Sequence, residues 1–298
     1  PRWGGLAIYA GIVVAVLGLL PFAYPTAPYP RWLLGVLVVG GLLVVVGALD
    51  DLFQYKAKVQ ALLLLAAGVV VQFAFEGSTR VQIQGFTVPF SGGTYVPLGL
   101  AAVPLTAIYI FVVTKTMDTI DGLDGLASGI AAIAAATLSV IATVTVLSLD
   151  RASGYASLGQ TYRELPRVAI VSAAVAGGAL GFLKHNYNPA KIFMGTGGAY
   201  ILGFSLACLS IVGALKTAAA LALLVPLTVF GVPIIDAFSV VIRRIIARSP
   251  ITQADKRHVH HQLLSRGLST RQAVLVLYGC AAVLCGTLVL LVISRKNG

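Results

Sequence analysis

The sequence predicts an all-helical membrane protein that crosses the bilayer about nine times. Its 298 residues are 58% hydrophobic and only 10% charged. A soluble domain of this length needs more polar surface than that. The apolar residues also form long runs, most of which approach the roughly 17–25 residues that a helix needs to span the hydrocarbon core. Composition and run length together therefore exclude an ordinary soluble domain.

The predicted spans follow one another along the whole chain, which we treat as one transmembrane domain, residues 1–298. They are Leu6–Leu20, Trp32–Leu49, Val59–Phe75, Val103–Thr114, Gly129–Leu147, Arg167–Leu183, Gly197–Val212, Ala218–Ile235 and Gln272–Ile293. Residues Val81–Val96 alternate between apolar and polar around glycines, which predicts a small external β-hairpin. The three cysteines, Cys208, Cys280 and Cys285, lie inside apolar runs and are expected to be buried apolar side chains.

The chain starts without a recognisable leader. The first apolar run begins almost at residue 1 and has no small-residue cleavage site, so we expect no cleaved signal peptide. Because Pro1 is an unusual first residue, we expect that the natural start of the protein is missing.

Nine alternating spans sort the loops into two sets on opposite faces of the membrane. One set contains residues 1–5, 50–58, 115–128, 184–195 and 236–271, and it holds most of the Lys and Arg. The positive-inside rule makes this face cytoplasmic. Most of the acids and all four histidines lie there too. The net charge of +11 then indicates contact with anionic lipid or a phosphorylated substrate, and not with nucleic acid.

Two acidic motifs on this face carry the first chemical signals. Adjacent carboxylates at Asp50 and Asp51 end an apolar run, where they require water, a cation or a protein partner. This pair of carboxylates is expected to act as a general base or to contact a metal; the alternative is that it only marks a solvated helix end. Asp118, Asp121 and Asp124 follow at intervals of three, so a continuous helix would align them on one face. Three carboxylates on one short segment favour Mg²⁺, with a polar helix cap as the alternative.

Two further segments contain groups that can bind phosphate. Residues 186–198 form a polar loop that ends in glycines ahead of an apolar run, where backbone N–H groups at a helix start can hold phosphate, although a tight turn explains the glycines equally well. His258, His260 and His261 lie among basic residues, which favours contact with a pyrophosphate over a structural role or zinc. Arg243 precedes them on an amphipathic stretch that is expected at the level of the lipid headgroups.

Taken in order, these motifs resemble those of the polyprenyl-phosphate N-acetylhexosamine-1-phosphate transferases. The segments that carry the resemblance are Pro1-Arg-Trp-Gly-Gly, Asp50-Asp51, Asp121-Gly-Leu-Asp-Gly-Leu-Ala, the loop from Asn186 to Gly195, and His258-Val-His260-His261. The last is similar to the form found in the GlcNAc-1-phosphate branch, and differs from the three consecutive histidines of the related phospho-MurNAc-pentapeptide transferases.

The resemblance implies a fold and a reaction. The fold is about ten helices around a cytoplasmic cleft, so nine spans here suggest that the first natural span is missing. The reaction moves a sugar 1-phosphate, most simply GlcNAc-1-phosphate, from a UDP-N-acetylhexosamine to polyprenyl phosphate, releases UMP and requires Mg²⁺ or Mn²⁺. It implies a multi-pass protein of the bacterial inner membrane that initiates a cell-envelope glycan, with membrane lipid around it and a homodimer as one option.

Residue roles also come from the resemblance. It implies catalytic roles for Asp50, Asp51, Asp121 and His258; substrate contacts from Lys115, Asp124, Asn186, Lys191, Arg243, His260 and His261; and metal contacts at Asp118 and at the position of Thr196. Divalent and side-chain cations would offset the repulsion between two phosphorylated reactants.

Two positions depart from the family pattern. The family usually has Asn at the position of Asp118 and Asp at the position of Thr196, where the carboxylate is regarded as a metal ligand. Either Asp118 compensates for the missing carboxylate, or Thr196 leaves a homologue that binds substrate without turning it over. The remaining alternative is a transporter or flippase, because acids within membranes also mark ion pathways. The position of the acids at span ends favours an interfacial enzyme.

Overall fold

The computed structural model describes residues 2–26, 29–74, 79–87, 95–153, 164–213 and 263–297. The helices in these ranges are α1 (Gly4–Ala23), α2 (Arg31–Phe53), α3 (Ala57–Phe73), α4 (Ala102–Ile120), α5 (Leu126–Ser153), α6 (Leu165–Asn186), α7 (Gly195–Gly213) and α8 (Thr270–Asn297). One 3₁₀ turn, Gly99–Ala101, precedes α4.

The helices confirm a multi-pass, all-helical membrane protein. Seven are long and apolar enough to cross a bilayer, and α3 is a shorter apolar helix of 17 residues. Eight of the nine predicted spans are therefore helices in the described part of the chain. The remaining one, Ala218–Ile235, lies outside the described residues, so the count of nine stays a prediction.

A small antiparallel sheet lies between α3 and α4. Strand β1 (Gly85–Thr87) pairs with β2 (Tyr95–Pro97), and Phe86 lies opposite Val96. The predicted pairing of this segment is confirmed, although the strands are short and Gly85 belongs to a strand. The turn between the strands lies outside the described residues.

Helix α7 is the centre of the bundle. Of its apolar stretch 89% is buried, against 22% in α1 and in α8, because α7 packs against α1, α2, α4, α5 and α6. Glycines make the contacts close: a Cβ on Gly47 of α2 would overlap the backbone of Gly197, and one on Gly5 of α1 would overlap Gly198. Small residues of this kind let membrane helices approach at backbone distance. They bring the start of α7 against the ends of α1 and α2.

Polar groups gather at the two ends of this bundle. We call the described residues 2–5, 50–60, 115–128 and 184–196 the acid end. At the opposite end, Glu164 precedes α6, accepts a hydrogen bond from Trp32 Nε1 at 3.0 Å and pairs with Arg167 at 2.9 Å. The Arg167 guanidinium lies 4.5 Å from the centre of the Tyr24 ring. Four of the five segments that the alternation of spans assigned to one face thus meet at one end, and most of the fifth, residues 236–271, lies outside the described residues.

Candidate active site

A cavity of about 340 Å³ opens at the acid end. The C-terminal ends of α2, α4 and α6, the segments that follow α4 and α6, the start of α7 and Arg2 ahead of α1 form its wall. Its polar lining consists of Arg2, Asp51, Asp118, Asp121, Asp124, Asn186 and Thr196, and its other lining residues are Gly122, Leu123, Phe193, Met194 and Gly195. Six residues predicted from sequence for the site, far apart along the chain, therefore share one cavity.

Asp51 joins the end of α2 to the start of α7. Its carboxylate accepts hydrogen bonds from the Thr196 N–H at 3.1 Å and from Thr196 Oγ1 at 3.0 Å. The preceding Gly195 has φ +72°, and a Cβ there would meet the Arg2 carbonyl and the Asp51 carboxylate, so only glycine fits. An acid at a helix N-terminus satisfies free N–H groups and the helix dipole. The first turn of α7, expected to hold phosphate, thus binds a protein carboxylate through Thr196.

Asp50 has different surroundings although it is the next residue. It is 6% exposed, it does not line the cavity, and its carboxylate accepts hydrogen bonds from Tyr55 N and Gln60 Nε2, both at 2.8 Å. Gln60 Oε1 accepts a hydrogen bond from Lys115 Nζ at 2.7 Å, and Lys115 pairs with Asp118 at 2.6 Å. A polar chain therefore runs from Asp50 through Gln60 and Lys115 to the cavity wall at Asp118. Sequence reasoning missed Gln60, which belongs to no acidic or basic cluster.

Asp121 is the cavity acid with the fewest partners. Helix α4 ends at Ile120, and the Asp121 carboxylate accepts no hydrogen bond from any of the described residues. Burial raises the pKa of Asp121 well above its usual range, and the nearby carboxylates of Asp118, Asp51 and Asp124 raise it further. The site therefore holds more negative charge than its described residues neutralise, and it favours a cation or a proton at Asp121.

The continuous helix that would align Asp124 with the other two acids is not formed. Residues 121–125 are a turn, and Gly125 at φ +83° ends it before α5. Asp124 Oδ2 instead accepts hydrogen bonds from Asn188 Nδ2 and Ala190 N, each at 3.0 Å. The condition for an aligned row of three acids is not met, because α4 ends at Ile120 and Asp124 lies in the turn that follows. Asp124 ties two loops together at the cavity edge.

Asn186, the last residue of α6, also connects loops. Its Oδ1 accepts hydrogen bonds from Gly125 N at 3.0 Å and Ser128 Oγ at 3.3 Å, and its Nδ2 donates to Ile192 O at 3.0 Å. At 3% exposed, this amide fixes the cavity wall. Its predicted contact with substrate stays a prediction.

The remaining predicted site residues do not reach this cavity within the described structure. Lys191 is exposed and is absent from the cavity lining. Arg243, His258, His260 and His261 lie outside the described residues. Among the described residues, Arg2 is the cation that lines the cavity, and the sequence pointed to its segment through the Pro1-Arg-Trp-Gly-Gly resemblance and the alternation of spans.

The donor set suits Mg²⁺ bound together with substrate. Within the described ranges, no three His, Cys, Asp or Glu side chains form a ready metal cluster. Mg²⁺ does not need one, because it is commonly held by one or two carboxylates together with waters and substrate phosphates. Asp51 and Asp121 supply carboxylates at the cavity, whereas Asp118 already pairs with Lys115. The excess negative charge around Asp121 is the feature that fits a divalent cation.

The helices and the acid cavity define a membrane-embedded protein with a polar site at one end, and the chain belongs to glycosyl transferase family 4, whose model matches residues 33–214. It is 37% identical to a probable undecaprenyl-phosphate N-acetylglucosaminyl 1-phosphate transferase of Bacillus subtilis, over 93% of this chain and 69% of that protein. It is 35% identical to the decaprenyl-phosphate N-acetylglucosaminephosphotransferase of Mycolicibacterium smegmatis, over 93% and 68%.

A phospho-N-acetylmuramoyl-pentapeptide-transferase of Desulfitobacterium hafniense is 29% identical over 97% of this chain and 82% of that protein. The family resemblance drawn from the motifs is confirmed. The nearer match to the N-acetylglucosaminyl transferases agrees with the His-x-His-His form of the last motif.

Proposed function

We propose that this protein transfers GlcNAc-1-phosphate from UDP-GlcNAc to a polyprenyl phosphate at the cytoplasmic face of a bacterial membrane. The observation that carries the proposal is the identity of 37% and 35% to two polyprenyl-phosphate GlcNAc-1-phosphate transferases over 93% of the chain. The acid cavity at one end of a membrane-spanning bundle supports it, because one reactant is water-soluble and the other is anchored in lipid.

The reaction exchanges one phosphoanhydride bond for another. An oxygen of the lipid phosphate attacks the phosphorus that carries the sugar, the bond from this phosphorus to the oxygen of the UMP phosphate breaks, and UMP leaves with that oxygen. The products are UMP and a polyprenyl pyrophosphate that carries GlcNAc. No oxidant or further reactant is needed, so the demand on the protein is positioning and charge neutralisation.

Side chains of the cavity fit these two demands. Asp121, with no hydrogen-bond donor among the described residues, is the carboxylate that we assign to a cation or to proton transfer from the lipid phosphate. Thr196 holds Asp51 in place at 3.0 Å, so Asp51 contributes a fixed negative charge, and Arg2 contributes positive charge at the rim. A bound Mg²⁺ would offset the charge that develops between the two phosphates.

Release of UMP by the purified protein in lipid nanodiscs tests this function. With UDP-GlcNAc, polyprenyl phosphate and Mg²⁺ we expect UMP and a lipid-linked GlcNAc in equal amounts. Omission of the lipid phosphate, or chelation of the metal by EDTA, should abolish both products. A panel of other UDP-sugars, including UDP-N-acetylhexosamines, measures the sugar preference, and a faster reaction with another sugar would contradict the choice of GlcNAc.

A binding protein without turnover is the second candidate, and Thr196 is the observation that favours it. Binding of UDP-GlcNAc without UMP release under any of these conditions would support it. Movement of a lipid or ion across the nanodisc or a vesicle membrane without UMP release would instead support a transporter.

A further inference from the structure

A tyrosine near the acid cavity has a buried hydroxyl that the described residues leave unused. Three buried hydroxyls have no hydrogen-bond partner in the described part of the chain: those of Thr114, Ser172 and Tyr200. A threonine or serine hydroxyl can turn to the carbonyl four residues earlier in its own helix. The Tyr200 hydroxyl sits at the end of a rigid ring and cannot do so, and the residue is 1% exposed.

Helix packing places Tyr200 beside the acids. A Cβ on Gly203, one turn further along α7, would overlap Thr114 of α4. Because α4 ends at the acid end and α7 begins there, Tyr200 lies about one turn closer to the acids than Gly203 does. Three carboxylates are near enough to the Tyr200 hydroxyl to act on it electrostatically, first that of Asp118 and then those of Asp50 and Asp51. A buried donor without a described partner therefore lies among three acceptors.

The three carboxylates differ in the number of donors that they already have. Asp50 and Asp51 each accept hydrogen bonds from two described groups. Asp118 accepts from one, the Lys115 ammonium at 2.6 Å. A partly buried carboxylate with a single donor gains more from a further hydrogen bond than one that already has two. Asp118 is therefore the acceptor with the greatest need of the Tyr200 hydroxyl.

The single donor of Asp118 is also one that a substrate can draw away. The Lys115 side chain is 34% exposed, and a lysine ammonium is a point charge on a flexible stem. A UDP-sugar brings a diphosphate into the cavity, where it competes with Asp118 for this ammonium. Without another donor, Asp118 would then be a partly buried charge that repels the same substrate. A hydroxyl that takes over Asp118 at that moment removes part of this penalty.

We propose that Tyr200 is a positioning residue that donates a hydrogen bond to Asp118 when a bound UDP-sugar draws Lys115 toward its diphosphate. This inference rests on the proposed function. The free-energy cost of a buried hydroxyl without a partner is then recovered in the substrate complex. An ordered water on the hydroxyl is the alternative, and it predicts that the hydroxyl stabilises the protein whether or not substrate is bound.

Thermal unfolding of the purified protein in nanodiscs tests this pairing without turnover. Tyr200→Phe keeps the ring and removes the hydroxyl, so as a single substitution it should leave the Tm unchanged or raise it. Lys115→Met removes the described donor to Asp118, and in that background Tyr200→Phe should lower the Tm by about 2–4 °C. Tyr109→Phe is the matched control between α4 and α7, because the Tyr109 hydroxyl already bonds Ser210 at 2.8 Å. It should lower the Tm equally in both backgrounds.

The stability comparison has clear contrary outcomes. A lower Tm for Tyr200→Phe alone, or the same change in both backgrounds, would overturn the proposal in favour of a water or a purely structural role. A loss confined to a Gln60→Leu background would also overturn it, because the hydroxyl would then serve Asp50. If Lys115→Met does not fold, the kinetic comparison decides.

UMP release by the same variants tests the role in the reaction. We expect Tyr200→Phe to raise the KM for UDP-GlcNAc about tenfold, the factor for one hydrogen bond to a charged group, with kcat within about twofold of wild type. Tyr109→Phe should leave both constants unchanged. A fall in kcat with an unchanged KM, or no change in either constant, would overturn the proposal.

Calorimetric titration with UDP and Mg²⁺ separates this inference from the proposed function. If wild type releases no UMP, the proposed function fails, and the affinity for UDP then replaces KM. Binding to Tyr200→Phe that is about tenfold weaker than to wild type would keep the assignment of Tyr200. Equal binding to the two proteins would overturn it.

Discussion

Carboxylates lie at both ends of the helix bundle, but their hydrogen-bond and charge partners differ between the two ends. At the opposite end, Glu164 receives a hydrogen bond from Trp32 and an ion pair from Arg167. At the acid end, Asp121 has three carboxylates nearby and no hydrogen-bond donor among the described residues. A buried acid that is fully paired contributes to structure, whereas the half-buried Asp121, without donors among the described residues, is open to a cation or substrate. The comparison identifies Asp121 as the group most dependent on a bound cation or substrate.

Of the substitutions at the two ends, Asp121→Asn should have the largest effect on the rate. The amide keeps the shape of the side chain and removes its charge, so we expect the rate of UMP release to fall about 10³-fold, as for loss of a principal electrostatic group in a transition state. Because the pKa of Asp121 is raised in the folded protein, its ionised form opposes folding at neutral pH. The metal-free variant should therefore be at least as stable as wild type, and this advantage should shrink as pH falls. A lower Tm with an unchanged rate per folded molecule would contradict the assignment.

Glu164→Gln is the counterpart at the opposite end. It removes the charge that pairs with Arg167, whose side chain is 13% exposed. We expect a loss of about 1–3 kcal/mol in the free energy of unfolding, with the rate per folded molecule unchanged. Thermal unfolding in nanodiscs and UMP release measure the two effects. A large loss of rate would mean that the two ends are coupled.

The helices and the acid end could be predicted from the sequence because both depend on local sequence pattern. Apolar runs locate spans, and alternation of spans brings the loops that carry Asp51, Asp121 and Asn186 to one face. The different surroundings of Asp50 and Asp51 could not be predicted from local pattern. Their partners, Gln60 and Thr196, come from other helices, and only the packing of α2 against α3 and α7 determines which carboxylate meets which donor.

The helical row of three acids failed for a related reason. Spacing alone allowed Asp124 to follow Asp121 along a helix, and the glycines could permit either a helix or a break. The cross-loop hydrogen bonds to Asn188 and Asn186 favour the break. Long-range contacts of this kind override a local preference, because each satisfies a buried polar group that would otherwise cost free energy.

Thr196→Asp measures how the acid end tolerates one more carboxylate. The change removes the Oγ1 hydrogen bond to Asp51 and places two carboxylates side by side, so without metal we expect a loss of about 1–2 kcal/mol in the free energy of unfolding. Mg²⁺ should restore this stability, while Thr196→Val, which removes the hydroxyl without adding charge, should not respond to Mg²⁺.

The rate of the same variant distinguishes an active enzyme from an impaired one. Because Thr196 already fixes Asp51, the added carboxylate should stabilise the ground state and the transition state about equally. We therefore expect Thr196→Asp to release UMP within about threefold of the wild-type rate. A gain of about 10²-fold or more would show that wild-type Thr196 impairs turnover.

The smallest effects, and the closest comparison of the two ends, come from two glutamines on α3. Gln60 connects Asp50 to Lys115 at the acid end, and Gln72 donates to Gly68 O and Val103 O and accepts from Gln82 near the opposite end. Replacing either by Leu removes hydrogen bonds worth about 1 kcal/mol each. We expect Gln72→Leu to lower the Tm and leave the rate unchanged.

We expect Gln60→Leu to lower the rate about five- to tenfold, because Lys115 loses one of the two oxygens that hold it beside Asp118. Gln60→Glu, which can still accept from Lys115, should recover part of that rate. Equal rate losses in both Leu variants would mean that α3 acts only through the stability of the bundle, and the polar chain from Asp50 to Asp118 would then have no role in turnover.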